Sequence, residues 1–236
     1  MNTERKNHKT DIPVKSVILM LVFIVVIPIL PLLISWHWNW WEAWVYAGIN
    51  IIGFAISRML AARRNPDILA ERAKFLQHED AKPFDKILSP LVGLGGGLIP
   101  ITAGFDELFG WSGEFNLTVK MISLALILAG YMLGSYALIA NRYFSGMVRI
   151  QTDRDHHVIT GGPYRWIRHP GYSGALLSYI LTPFLLDSWW IFVPVVFLIV
   201  TLFIRTYLED KTLQNELDGY AEYAKSVKYR LIPCVW

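Results

Sequence analysis

Residues 17–36 read VILMLVFIVVIPILPLLISW, twenty positions without a single charge. At 1.5 Å per residue a helix of that length crosses about 30 Å of hydrocarbon. A secretory leader has a shorter apolar region and a small-residue cleavage site. This stretch has neither, so it is read as a retained span. Working outward, the same pattern recurs near 44–60, 87–105, 118–139, 175–187 and 189–204. The last two are short and separated only by DSWW, as in a tight helical hairpin. The expected fold is therefore all-α: a polytopic transmembrane protein of about six helices. The composition agrees, since 54% of the 236 residues are hydrophobic and 17% are charged. A lone cysteine, Cys234, excludes an internal disulfide and a cysteine-only metal site.

The basic residues give an orientation. Four precede the first span, seven fall within 58–86, five within 142–168 and five from 205 onward. The opposite loops HWNWWEA, DELFGWSGEFN and DS have none, and only Lys120 lies on that side. This asymmetry predicts that both termini are cytoplasmic. Trp36, Trp38, Trp40, Trp41, Trp44, Trp111, Trp189 and Trp190 gather at the other face, as interfacial aromatics do. The expected location is a bacterial or archaeal plasma membrane, with any site facing the cytoplasm. The partners expected are membrane lipids and a lipophilic molecule entering from the bilayer, not nucleic acid.

No repeat or low-complexity linker interrupts the chain. Residues 1–140 are read as an N-terminal membrane region of about four spans, and 141–236 as a unit carrying the chemistry. Residues 66–78 are expected to form an amphipathic surface helix with Pro66 in its first turn. The GLGGG at 93–97 lacks the strand–turn–helix setting of a phosphate loop. Gly93/Gly97 and Gly130/Gly134 instead have the spacing that lets membrane helices approach closely.

Polar residues crowd into two segments that a helical hairpin would bring to one face. The first ends in GGPYRWIRHPGYSG, 161–174. Gly161-Gly162-Pro163 predicts a turn. Pro170 disfavours a helical His169, and Tyr172 and Gly174 open the next helix. Such a backbone is expected to leave polar groups unpaired near the membrane, which is tolerated where they line a cavity. Headgroup anchoring would account for Arg154 and Arg165 alone, but not for two prolines and four glycines in fixed order. The second segment begins at FIRTYLEDKTL, 203–213. Arg205 and Glu209 share a helix face there, at a depth where ionisable groups are functional candidates. An arginine fork at that depth suits a substrate carboxylate. Asp210 points to another face and is expected to be solvated. His156, His157 and His169 are too few for a histidine-rich iron site and lack clear further ligands for zinc, so no metal is expected.

The stretch HHVITGGPYRWIRHPGYSG, 156–174, resembles the signature of the isoprenylcysteine carboxyl methyltransferase family. The tail RTYLEDKTLQNELDGYAEYAKSVKYRLIP, 205–233, is similar to that family's closing pattern, here Arg205, Glu209, Tyr220, Tyr223, Val227 and Pro233. The two blocks lie within about the last 95 residues, and the first 140 match only as apolar spans. The resemblance implies transfer of a methyl group from S-adenosylmethionine to a carboxylate of a lipid-like substrate. It places Arg205 and Glu209 on catalytic positions. It places His156, Gly162, Pro163, Tyr164, Arg168, His169, Pro170, Tyr172, Gly174 and Tyr223 on cofactor-contacting positions. Many relatives carry consecutive glutamates where this chain has Glu209-Asp210, so the role is carried to Glu209 alone. The opening motif also recurs in phospholipid N-methyltransferases and in NADPH-dependent membrane sterol reductases, which stay as alternative activities.

Overall fold

The computed structural model describes residues 22–73 and 78–236. Helices account for all its regular structure, and no strand occurs among the described residues. The first helix, α1, winds as a wide π-turn over Val22–Val26 and continues as Ile27–Ser35. α2 is Trp41–Arg64, with a second π-turn at Ile49–Gly53. The short α3 is Ile68–Ala73, so Pro66 sits in the turn before it; the end of the surface helix expected at 66–78 falls partly outside the described residues. There follow α4 (Asp85–Phe109), α5 (Leu117–Ala140), α6 (Pro170–Leu185), α7 (Phe192–Glu216) and α8 (Tyr220–Ser226).

Each expected span overlaps a helix of the described residues, but among these only α2, α4, α5 and α7 are long and apolar enough to cross a membrane. α1 is shorter over its described part, and α6 has 16 residues. α7 does not stop at 204. It continues to Glu216 and so carries Arg205, Glu209 and Asp210 on one rigid rod.

Small residues set the helix crossings. A methyl group on Gly130 of α5 would lie 2.6 Å from the Gly174 carbonyl of α6, and one on Gly174 would lie 2.8 Å from the Gly134 nitrogen. The two backbones touch there, which explains glycine at both places. Gly93 and Gly97 face open space, contrary to the packing role expected of them. The glycine between them, Gly95, is the one that α7 presses, with Leu198 2.7 Å from its would-be Cβ. The register of the contact is thus shifted by two residues from the sequence pattern.

One end of the bundle is held by buried ions. Lys120 pairs with Glu42 at 2.5 Å and also with Asp187, whose other oxygen accepts from the Phe115 amide at 2.7 Å. Lys120 is therefore a structural cation tying α2, α5 and the turn before α7 together. Trp36, Trp38, Trp41, Trp44, Trp111, Trp189 and Trp190 are exposed around this end, whereas Trp40 is buried in the apolar core with Leu32, Ile99 and Val195; Trp166, also exposed, belongs to the 141–169 loop at the other end. The opposite end carries residues 141–169, the last turns of α7 and the C-terminal tail.

Candidate active site

At that end the 141–169 loop, the start of α6 and the end of α7 line a cavity of about 100 Å3 that opens to solvent. The two polar segments meet here through backbone as well as side chains. The amides of Arg168 and His169 donate to the carbonyls of Tyr229 and Arg230, both at 2.9 Å. The amides at the heart of the motif are thus engaged by the tail, not left free as the turn residues suggested. No partner among the described residues takes the amides of His157, Val158 and Ile159, which line the cavity.

Arg205 and Glu209 both line the cavity, but they do not pair with each other. Arg205 is buried and turns toward the first turn of α4, where Asp85 is fully buried. Its Nε donates to Asp85 Oδ1 at 2.6 Å and its Nη2 to Oδ2 at 2.9 Å and to the Gly146 carbonyl at 2.8 Å. Asp85 also accepts from the Val148 amide at 2.6 Å. The Arg205 guanidinium lies 5.4 Å from the Tyr172 ring centroid, and Nη1 has no partner among the described residues. The Tyr172 hydroxyl donates to Glu209 Oε2 at 2.7 Å. Tyr172 therefore separates the two charges, with its face under one and its hydroxyl on the other. Glu209 Oε1 is 4.0 Å from His169 Nδ1, and the glutamate side chain is 21% exposed. The His169 ring stacks on Tyr172 with centroids 5.8 Å apart.

Asp210 is the largest departure from expectation. It is not solvated but fully buried. It accepts from Arg168 Nε at 2.7 Å and Nη2 at 2.9 Å, from Arg230 Nε and Gln214 Nε2 at 2.8 Å, and from the Tyr220 hydroxyl at 3.0 Å. His169 Nε2 lies 3.4 Å away. The helix face that carries Asp210 is covered by the motif loop and the tail, so the charge needs these donors. Arg168 spends its remaining nitrogen on the Val227 carbonyl at 2.7 Å. It clamps the tail, although part of it reaches the cavity wall.

The remaining motif residues divide into two groups. His156, Tyr164, Arg168, His169, Tyr172 and Tyr223 line the cavity, whereas Gly162, Pro163, Pro170 and Gly174 do not. Those four stand outside the cavity lining and shape the backbone around it. Gly162 turns at φ 60° against Tyr136 and Ala140, Pro163 follows it in the 3-10 turn, Pro170 begins α6, and Gly174 makes the crossing with α5. Tyr223 donates to the Tyr164 carbonyl at 2.6 Å, and burial pushes both phenols up, so both are neutral donors. Burial, reinforced by the charges of His157, Arg149 and Arg154, lowers the His156 imidazole to about 4. The ring is neutral at pH 7, and its Nδ1 accepts from the Gln151 amide at 3.3 Å. Arg149, missed in the sequence, also borders the cavity. Burial opposes its charge, but the Asp153, Asp80 and Glu71 carboxylates hold it above its usual range.

S-adenosylmethionine bears an adenine, a carboxylate, an ammonium and a sulfonium, and these residues fit it. Glu209 has one oxygen without a close donor, suited to a cationic centre. Tyr143, Tyr172, Tyr220 and Tyr223 offer aromatic faces, which favour a sulfonium. The unengaged amides at 157–159 suit acceptor atoms.

Residues 121–215 match the model of the isoprenylcysteine carboxyl methyltransferase family. A probable protein-S-isoprenylcysteine O-methyltransferase from Oryza sativa is 30% identical over 112 residues, covering 46% of this chain and 59% of the relative. Protein-S-isoprenylcysteine O-methyltransferase A of Arabidopsis thaliana is 30% identical over 112 residues, 46% of this chain and 57% of its own length. The Schizosaccharomyces pombe enzyme of that name is 28% identical over 109 residues, covering 43% and 44%. The chain thus spans a little over half the length of the rice and Arabidopsis relatives. The matched segment takes in α5, α6, nearly all of α7 and the motif loop, while Asp85 and the clamping tail lie outside it. Over most of the part that builds the cavity, the chain is similar to the isoprenylcysteine carboxyl methyltransferase family.

Proposed function

We propose that the chain is an integral membrane methyltransferase that uses S-adenosylmethionine to methylate the carboxylate of a lipophilic acceptor. The observation that carries this reading is the arrangement around Tyr172, with Arg205 over its face and Glu209 on its hydroxyl, in a cavity at the membrane-proximal end of α6 and α7. When bound, S-adenosylmethionine supplies a methyl group on a positively charged sulfur. Glu209 offers that positive centre its free oxygen, and Tyr172 holds the glutamate in place. Arg205 is fixed by Asp85 along its Nε/Nη2 edge, so Nη1 is the nitrogen left to draw in an acceptor carboxylate. A carboxylate is already ionised at neutral pH and needs no general base. Positioning by Arg205 and Glu209 is then the main contribution of the protein, a class of effect worth several kcal/mol.

Isothermal titration of detergent-solubilised protein with S-adenosylhomocysteine tests the reading. Binding is expected; no binding alongside clear NADPH binding would replace it with a reductase. A methylated product that resists mild base hydrolysis would be an amine, not an ester, and would assign N-methylation. We further propose that the cavity faces the cytoplasm, on the strength of the basic-residue asymmetry. In a Cys234→Ser background, cysteine placed at the exposed Gly113 should label from outside. Labelling only from the cytoplasmic side would invert the topology.

A further inference from the structure

The two nitrogens by which Arg205 grips Asp85 are not equivalent. Nη2 donates to Asp85 Oδ2 at 2.9 Å and to the Gly146 carbonyl at 2.8 Å. Each of these acceptors has a second donor. Asp85 Oδ2 also receives the Val148 amide at 2.6 Å, and the Gly146 carbonyl also receives the Ser89 hydroxyl at 3.2 Å. Nε differs, because among the described residues it is the sole donor to Asp85 Oδ1, at 2.6 Å. A buried acceptor that loses its last donor is costly, whereas one with a donor to spare is not. Nη2 can therefore leave without orphaning either partner, and Nε cannot. The second donors are fixed in place. The Lys82 amide donates to the Val148 carbonyl at 2.9 Å, which keeps Val148 beside the start of α4. Ser89 stands one turn after Asp85 on the same helix, so the two share a face. The first turn of that helix also favours the Asp85 carboxylate.

Arg205 lines the cavity and Asp85 does not. A guanidinium binds a carboxylate best through two parallel N–H bonds. While Nε and Nη2 both hold Asp85, an acceptor meets Nη1 alone. Release of Nη2 would present the Nη1/Nη2 edge and leave Nε on Asp85, so the guanidinium would keep its counter-ion. We propose that Arg205 exchanges Nη2 between Asp85 and the acceptor's carboxylate, with Asp85 and Ser89 as the positioning residues that set the balance. Asp85 competes with the acceptor for Nη2, and Ser89 takes over the Gly146 carbonyl when Nη2 departs. A methyl ester has no charge with which to hold Nη2, so the nitrogen returns to Asp85 and the ester is let go. Both residues lie outside the segment, 121–215, that matches the family model. The exchange rests on the carboxylate-acceptor reading above.

The test titrates full-length wild-type, Ser89→Ala and Asp85→Asn proteins in detergent at neutral pH. The probes are N-acetyl-S-farnesylcysteine and its carboxamide, which differ in charge at the head and share the tail. The wild type should prefer the carboxylate. In Ser89→Ala, departure of Nη2 leaves the Gly146 carbonyl without a donor, so the carboxylate should bind about five-fold more weakly and the carboxamide unchanged. In Asp85→Asn the competing charge is gone, so the carboxylate should bind about ten-fold more tightly, again with the carboxamide unchanged. Residues that only hold the fold together would shift both probes alike or neither. Either of those results in a folded variant overturns the proposal, and so does a carboxylate shift of the opposite sign. Should Asp85→Asn not fold, Ser89→Ala decides alone, since it removes only a half-buried hydroxyl. A wild type without preference for the carboxylate sinks the carboxylate-acceptor reading and the exchange with it. A wild-type preference that neither variant alters sinks the exchange alone.

Discussion

Replacing Asp210 by asparagine removes one charge from the point where the motif loop, α7 and the tail converge. The carboxylate receives donors from Arg168, Arg230, Gln214 and Tyr220 on its two oxygens. An asparagine offers one oxygen, and its amide turns two N–H groups toward donors. Arg168 is 5% exposed along its side chain, so its charge would be left in a dry place without a counter-ion. Breaking a buried pair in this way costs about 3–5 kcal/mol. For a chain of this size about 2–4 °C of melting temperature corresponds to each kcal/mol, which puts the expected fall at roughly 6–20 °C. The assay is thermal unfolding in detergent followed by tryptophan fluorescence, at a fixed scan rate because such unfolding is often irreversible. Glu209→Gln is the control. That side chain is 21% exposed and accepts one hydrogen bond from Tyr172 that glutamine can also accept, so its melting temperature should stay close to wild type while methyl transfer falls. An Asp210→Asn protein that melts with the wild type would refute the reasoning, because the five donor contacts would then hold nothing together.

Arg205→Lys keeps a charge but cannot grip both Asp85 oxygens and still present a nitrogen to the cavity. Turnover should fall about 10²-fold with S-adenosylhomocysteine affinity nearly intact, and wild-type turnover would remove Arg205 from the site. Gly174→Ala forces a methyl group into the α5–α6 crossing and should cost about 1–3 kcal/mol by overpacking, read as a lower melting temperature; no change would mean that the helices are not in contact. His156 should titrate near 4 by side-chain nitrogen NMR, against an ordinary value of about 6.5. The unfolded chain then binds a proton that the folded one refuses, so its stabilising contribution is complete above about pH 6.5 and is lost as pH falls toward 4. A His156→Gln variant should lack that part of the pH dependence, and a measured midpoint near 6.5 would dismiss it.

The helices were legible because an uncharged run of about twenty residues has few fates in a chain this apolar. The convergence of the two polar segments was legible for the same reason, since a hairpin between them leaves little freedom. The individual contacts were less so. Gly95 and Trp40 show the limit of pattern reading: glycine spacing and tryptophan clustering identify a kind of surface, but the register of packing decides which residue occupies it. Asp85 was missed because its partner is 120 positions away, although a charge at the start of an apolar helix is a signal that could have found it.

The i,i+4 spacing of Arg205 and Glu209 carries the sharpest lesson about the site. Spacing places two side chains on one helix face, and it does not say that they pair. Each found a stronger partner across the fold: a bidentate carboxylate at Asp85 and a half-buried phenol at Tyr172. A direct ion pair between them would satisfy both and leave the cavity without an available charge of either sign. With Tyr172 between them, Arg205 keeps Nη1 and Glu209 keeps Oε1. Two opposite charges then stand ready on one wall, as the proposed reaction between an anionic acceptor and a cationic donor requires. Substituting Tyr172 by phenylalanine tests this directly. The ring remains as a spacer but the hydroxyl is lost, so Glu209 is freed to swing toward Arg205. Turnover should fall, and a second substitution, Glu209→Gln, should add little further loss, because both act on the same carboxylate. Fully additive losses from Tyr172→Phe and Glu209→Gln would show that the hydroxyl does not act through Glu209.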